Sequence, residues 1–139
     1  MVDEQVEVCH GSPFDEDAYI FDELDAVRGM KVSRRLLCLF GHTHCPVTLQ
    51  LSGERVETMG ASGLTDSRVE LRRESKYLIN PGSVGQPRDG DARAAYAIAD
   101  TAAGIVELVR VNYPIETTQS KVMKAGLPGV LAQRLAVGR

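Results

Sequence analysis

Short apolar runs alternate with clusters of turn-forming residues along this chain, and the apolar period shifts between two residues and about 3.6. Val6 to Cys9 is a β-branched run that ends at His10-Gly11-Ser12-Pro13, a pattern that predicts a strand feeding a sharp turn. Ala18, Ile20, Phe21, Leu24 and Val27 then recur roughly as one helical face running to Gly29, with Asp15, Glu16 and Asp17 placed to complement the dipole of its first turn. Leu36-Leu37-Cys38-Leu39-Phe40 is a continuous apolar run closed by Gly41, as expected of a strand buried on both faces.

From Val47 to Ile79 the pattern alternates, with turn candidates at Ser52-Gly53 and Arg73-Glu74-Ser75, which predicts three or four shorter strands with one polar face. Asn80 to Asp91 is dense in turn formers and reads as an irregular loop directly behind a strand. Two more strands, Ala95 to Asp100 and Ile105 to Val111, flank a turn at Ala102-Ala103-Gly104. Helical patterns at Glu116 to Ala125 and Gly129 to Ala136 finish the chain as a tail over 115–139.

Composition narrows the picture. With 139 residues, 43% apolar and 25% charged, the chain reads as one globular domain rather than a disordered or disulfide-built one. A net charge of -3 argues against nucleic acid as a bulk ligand, although a metal site would supply local positive charge for a phosphate. No apolar run nears the roughly 20 residues that span a bilayer, and the opening MVDEQVEV is acidic. Cys9, Cys38 and Cys45 are odd in number, which fits a reducing compartment. The expectation is a cytoplasmic chain with no membrane partner.

The candidate chemistry lies in the histidines. There are three, and each follows a predicted strand in a glycine-containing turn: His10 before Gly11, and His42 and His44 after Gly41. Ends of neighbouring strands converge in open α/β sheets, and residues two apart in extended chain project to one side, so both rings of His42-Thr43-His44 could face one metal cluster. Imidazole suits Zn, Fe and Ni, and Mn when carboxylates join it. The plainer reading makes these polar turn residues. Cys9 and Cys45 adjoin histidines and could be thiolate ligands, yet a free cysteine is more often a small buried apolar residue, as Cys38 must be among its leucines.

His10-Gly11-Ser12-Pro13, Gly41-His42-Thr43-His44 and Asn80-Pro81-Gly82-Ser83-Val84-Gly85-Gln86-Pro87-Arg88 occur in series. Together they resemble the calcineurin-like metallophosphoesterases of the small phosphodiesterase and diadenosine-tetraphosphatase-like type. That resemblance implies an α/β fold, the C-terminal half of a four-layer α-β-β-α sandwich with a mixed β-sheet and flanking helices. It covers residues 1–139 as a single partial domain whose N-terminal metal-binding half is absent, because the family's upstream Asp-x-His, Gly-Asp and Gly-Asn-His-Asp motifs have no counterpart; Asp3 and Glu4 do not match them.

The resemblance also implies metal-dependent hydrolysis of phosphomonoesters or phosphodiesters at a dinuclear site. Carried over, His10 and His42 would bind one ion and His44 the other, so this chain by itself would hold one divalent ion or none. No residue of the chain matches the family's leaving-group acid. Arg88 is the candidate for a substrate phosphate, against the plainer reading of a solvated loop arginine. The expected partners are a small phosphate ester and either a second copy or a complementing N-terminal half. The rival reading is a catalytically incomplete module that docks with another chain, motivated by the apolar strands a half-sandwich leaves uncovered.

Overall fold

The computed structural model describes residues 5–59 and 67–139. The strands are β1 (Val6–Val8), β2 (Leu37–Leu39), β3 (Val47–Ser52), β4 (Arg55–Met59), β5 (Ser67–Glu70), β6 (Ser75–Asn80), β7 (Ala94–Asp100) and β8 (Ile105–Val111). The helices are α1 (Glu23–Val32), α2 (Ile115–Lys124) and α3 (Gly129–Gln133), followed by a 3-10 turn, Arg134–Val137. Residues 60–66, inside the segment expected to hold three or four strands, lie outside the described residues, as do Asp3 and Glu4.

Two sheets form. The larger has the order β1-β2-β6-β3-β4 and the smaller β5-β8-β7. β1, β2 and β6 run parallel, while β3 and β4 add antiparallel strands at one side. The α1 crossover between β1 and β2 supplies the connection that a parallel pair requires.

The period-two alternation of β2 and β6 serves two cores at once. Cys38 and Leu78 face α1, packing with Ile20, Ala26, Met30, Phe40 and Leu49. Leu37, Tyr77 and Ile79 face the small sheet, packing with Val6, Val69 and Val106. The layers are therefore α1, large sheet, small sheet, which is the mixed α/β arrangement expected. The outer face of the small sheet carries Tyr96, Ile98 and Val111 exposed, with no helix over them among the described residues. α2, α3 and the 3-10 turn pack on one another instead, and the Gly90 N–H donates to the Gly138 carbonyl, tethering the tail to the loop after β6.

The first helix departs from expectation. It starts at Glu23, not near Asp15. The Asp15 carboxylate accepts from the Asp17 N–H and Ser12 closes a turn on Asp15, so the local polar groups satisfy a turn rather than a helix start. Asp22 is the N-cap, accepting from the Asp25 N–H at 2.9 Å, and Asp25 reciprocates by accepting from the Phe21 N–H at 3.2 Å. Lys76 of β6 closes the other end, its Nζ donating to the carbonyls of Met30 and Ser33 at 2.8 and 2.7 Å. Ala18, Ile20 and Phe21 consequently sit in an irregular lead-in, where Ile20 is buried and Phe21 points to solvent.

Candidate metal centre

The three parallel strands end on one side, and each hands over to a loop that reaches the same place. His10 follows β1, Gly41 to Cys45 follows β2, and Asn80 to Arg88 begins at the end of β6. Backbone bonds lock the loops together: Cys9 N–H donates to the Leu39 carbonyl at 3.1 Å and Gly41 N–H to the His10 carbonyl at 2.9 Å. Gly11 is required by close approach, since a Cβ there would lie 2.5 Å from the carbonyl oxygens of Glu16 and Ala18.

The centre of this arrangement is a residue that the sequence pattern does not single out. Asn80 is completely buried. Its amide donates to the Gly41 carbonyl at 2.8 Å and to Thr43 Oγ1 at 2.9 Å, and its Oδ1 accepts from the Gly82 N–H at 2.8 Å. One side chain therefore fixes the histidine loop and the glycine-rich loop relative to each other. The available signal is weak: an asparagine before Pro-Gly is ordinarily read as a turn former.

His10 and His42 meet. Nε2 of His10 and Nδ1 of His42 are 2.9 Å apart. Two nitrogens bound to one Zn²⁺-like ion at about 2.1 Å stand roughly 3.1 to 3.4 Å from each other, so the pair is within a few tenths of an ångström of sharing an ion. His44 is held differently: its Nδ1 donates to the Gln86 carbonyl at 2.7 Å, leaving Nε2 as the lone-pair nitrogen. A ring N–H given to a backbone carbonyl is the usual support of a metal-binding histidine. Among the described residues no group of three histidine, cysteine or carboxylate side chains closes around one point. The donor set thus fits two ligands of one ion, with the third imidazole oriented separately.

The geometric reason given for the His42-Thr43-His44 pair needs correcting. The chain there is not extended, because His42 has φ 66 and His44 has φ 60, both in the left-handed region. The two rings leave a coiled backbone rather than a strand, that of His42 meeting His10 and that of His44 meeting the Gln86 carbonyl. Histidine tolerates this region better than most non-glycine residues, at a cost of about 1 kcal/mol each.

Arg88 lies beside the site with its backbone N–H donating to the His44 carbonyl at 3.2 Å. Its Nε and Nη2 donate to the Gln86 Oε1 at 3.3 and 3.1 Å. Further along the same loop, Asp89 and Arg110 form an ion pair with side chains 0% and 4% exposed, and Arg93 binds Asp91 at 2.6 Å. These pairs fasten the loop that presents Gln86 to His44. The Arg93 guanidinium holds the Asp91 carboxyl down at about 2, against an ordinary 3.8.

The cysteines stand apart from the imidazoles. Cys9 Sγ is 3.6 Å from Cys38 Sγ, a contact that lowers the Cys9 thiol and, with burial, raises that of Cys38. Cys45 Sγ donates to the Arg88 carbonyl, and burial pushes its thiol up, away from the thiolate a metal would need.

No family model matches the chain. The fold is a mixed α/β arrangement of two sheets with flanking helices. Superposition on the crystal structure of a metallophosphoesterase from Sphaerobacter thermophilus gives a TM-score of 0.86 at 38% identity, over 100% of this chain and 57% of that one. The chain shares the metallophosphoesterase fold and spans about half the length of the proteins it matches. An uncharacterized protein of Methanocaldococcus jannaschii is 41% identical over 103 residues, 74% of this chain and 40% of its own length. A hypothetical protein of Pyrococcus horikoshii shares the fold at 18% identity, with a TM-score of 0.66 over 96% of this chain and 46% of that chain.

Proposed function

We propose that the chain supplies the histidine-bearing part of a dinuclear phosphate-ester hydrolase. The observation that carries this reading is the 2.9 Å approach of His10 Nε2 and His42 Nδ1 at the ends of adjacent parallel strands. A divalent ion, Mn, Fe, Zn or Ni, held by these two rings would supply Lewis acidity and positive charge to a phosphoryl group. His44, oriented by Gln86, would serve a second ion. Arg88 gives a planar fork of donors beside the site for a substrate phosphate oxygen. The substrate class is a small phosphomonoester or phosphodiester. Among the described residues no helix is long and apolar enough to cross a membrane.

Metal titration followed by the histidine ring signals tests this. Zn²⁺ is expected to move the rings of His10 and His42 together, and His42→Gly to abolish that response; binding that leaves both rings unmoved refutes the reading. Hydrolysis of bis-p-nitrophenyl phosphate with Mn²⁺ by this chain alone is expected near background. Fast turnover abolished by His42→Gly would show that these histidines suffice.

A second reading, an assembly module, is favoured by two observations. Among the described residues β1 pairs with β2 alone, Val8 is exposed, and the small sheet leaves Tyr96, Ile98 and Val111 uncovered. Unpaired edges and apolar faces of this kind promote association with a second copy or a complementing segment. Sedimentation as a non-associating monomer up to millimolar concentration would remove it.

A further inference from the structure

The rings near the site form a continuous ladder. His10 and His42 have centroids 4.7 Å apart, His42 and Tyr19 3.9 Å, and Tyr19 and Phe21 4.9 Å with planes only 10° from parallel. The ladder starts at the proposed ion and ends at Phe21, which is 78% exposed.

Core packing does not explain the outer two rungs. Ile20, between them in sequence, is buried in the core, whereas Tyr19 is 38% and Phe21 78% exposed. Leaving a phenyl ring in water forgoes about 1.5 to 3 kcal/mol of burial. The lead-in that presents it is nonetheless fixed, because the Phe21 N–H is bound by Asp25 of the α1 cap box. The ring is therefore held in place ahead of any ligand.

A groove of about 470 Å³ opens beside the outer rungs, lined by Tyr19, Ile20, Phe21, Thr43, Val47 and Arg88. That volume is within the range of small-molecule sites. Its lining combines ring and aliphatic surface with Arg88 and with Thr43 and Cys45 of the histidine loop. The charge of Arg88 complements a phosphate, and the flat apolar surface complements a ring.

We propose that Tyr19 and Phe21 form a stacking subsite for a planar aromatic group carried by the phosphate ester, such as an aryl or nucleobase moiety. The phosphate sits toward Arg88 and the histidines, and the aromatic group lies against the outer ladder. This rests on the hydrolase reading, since it places the phosphate at the proposed metal centre.

The test is aromatic-ring NMR on the whole chain with one equivalent of Zn²⁺, titrated with phenyl phosphate, cyclohexyl phosphate and inorganic phosphate. Phenyl phosphate is expected to shift Tyr19 and Phe21 and to bind about fivefold tighter than cyclohexyl phosphate, the preference that ring stacking typically confers. Phe21→Leu keeps apolar bulk and is expected to erase that preference. Equal affinity for the two esters, a preference surviving in Phe21→Leu, or ring signals indifferent to phenyl phosphate would each overturn the subsite. Histidine signals indifferent to inorganic phosphate would instead count against the hydrolase reading, so the two failures are distinguishable.

Discussion

Asn80 offers the sharpest test of how the site is held. It is buried and makes three hydrogen bonds, two of them to backbone groups of the loops that carry the histidines and Gln86. In Asn80→Leu, a side chain of similar volume fills the space and excludes water, so the Gly82 N–H loses its partner and the Gly41 carbonyl keeps only the Thr43 N–H. With about 2 kcal/mol for the unsatisfied buried N–H and about 1 kcal/mol for the second lost bond, the loss is about 3 kcal/mol. An unfolding entropy of about 2.1 cal/mol/K per residue gives ~0.29 kcal/mol/K for 139 residues, so Tm is expected to fall by about 10 °C. Asn80→Ala leaves room for a bridging water and is expected to cost less, about 1.5 kcal/mol. Both substitutions loosen the loops, and Zn²⁺ affinity measured by calorimetry is expected to fall 10- to 100-fold, as for other groups that support metal ligands. A Leu variant as stable as the wild type, or an Ala variant worse than Leu, would refute the claim that these bonds hold the loops.

Three further outcomes follow from the same structure. Arg110→Met removes the partner of a fully buried Asp89 carboxylate and is expected to cost 3–5 kcal/mol in chemical denaturation, with Asp89→Asn in the same chain recovering part of it. Arg93 depresses Asp91 to about 2, so the stability this pair adds is complete above the ordinary 3.8 and is lost as the pH falls through about 2; acid unfolding of Arg93→Gln followed by circular dichroism is expected to differ from wild type above that window and to merge with it below. Gly11→Ala forces a Cβ against two carbonyl oxygens at 2.5 Å and is expected to lower Tm and to weaken Zn²⁺ binding, because it displaces the turn that begins at His10.

Strands such as β2 and β6 were legible because they are short, largely apolar and closed by glycine or proline. Leu36 to Phe40 read as doubly buried, and Leu37 and Cys38 indeed face opposite cores. The start of α1 was misplaced because three acidic residues near Asp15 look like a first turn, whereas the reciprocal pair Asp22 and Asp25 makes the real cap. The histidines were legible as candidates from their places behind strands, but not the left-handed backbone of His42 and His44, which composition does not encode. Asn80 and the Asp89–Arg110 pair were illegible for a different reason. Their roles depend on partners 37 to 39 and 21 positions away, and only the assembled sheets bring those together.

The coiled backbone at His42 and His44 reverses an ordinary rule of mutagenesis. Alanine is normally the neutral probe, but here it would keep the left-handed φ while discarding the ring that justifies it. Glycine discards both, so the Gly variants should melt above their Ala counterparts by the few degrees that about 1 kcal/mol represents. Any programme that selects this chain for heat resistance would consequently be drawn toward glycine at these two positions, and would erase the proposed metal ligands while improving its endurance.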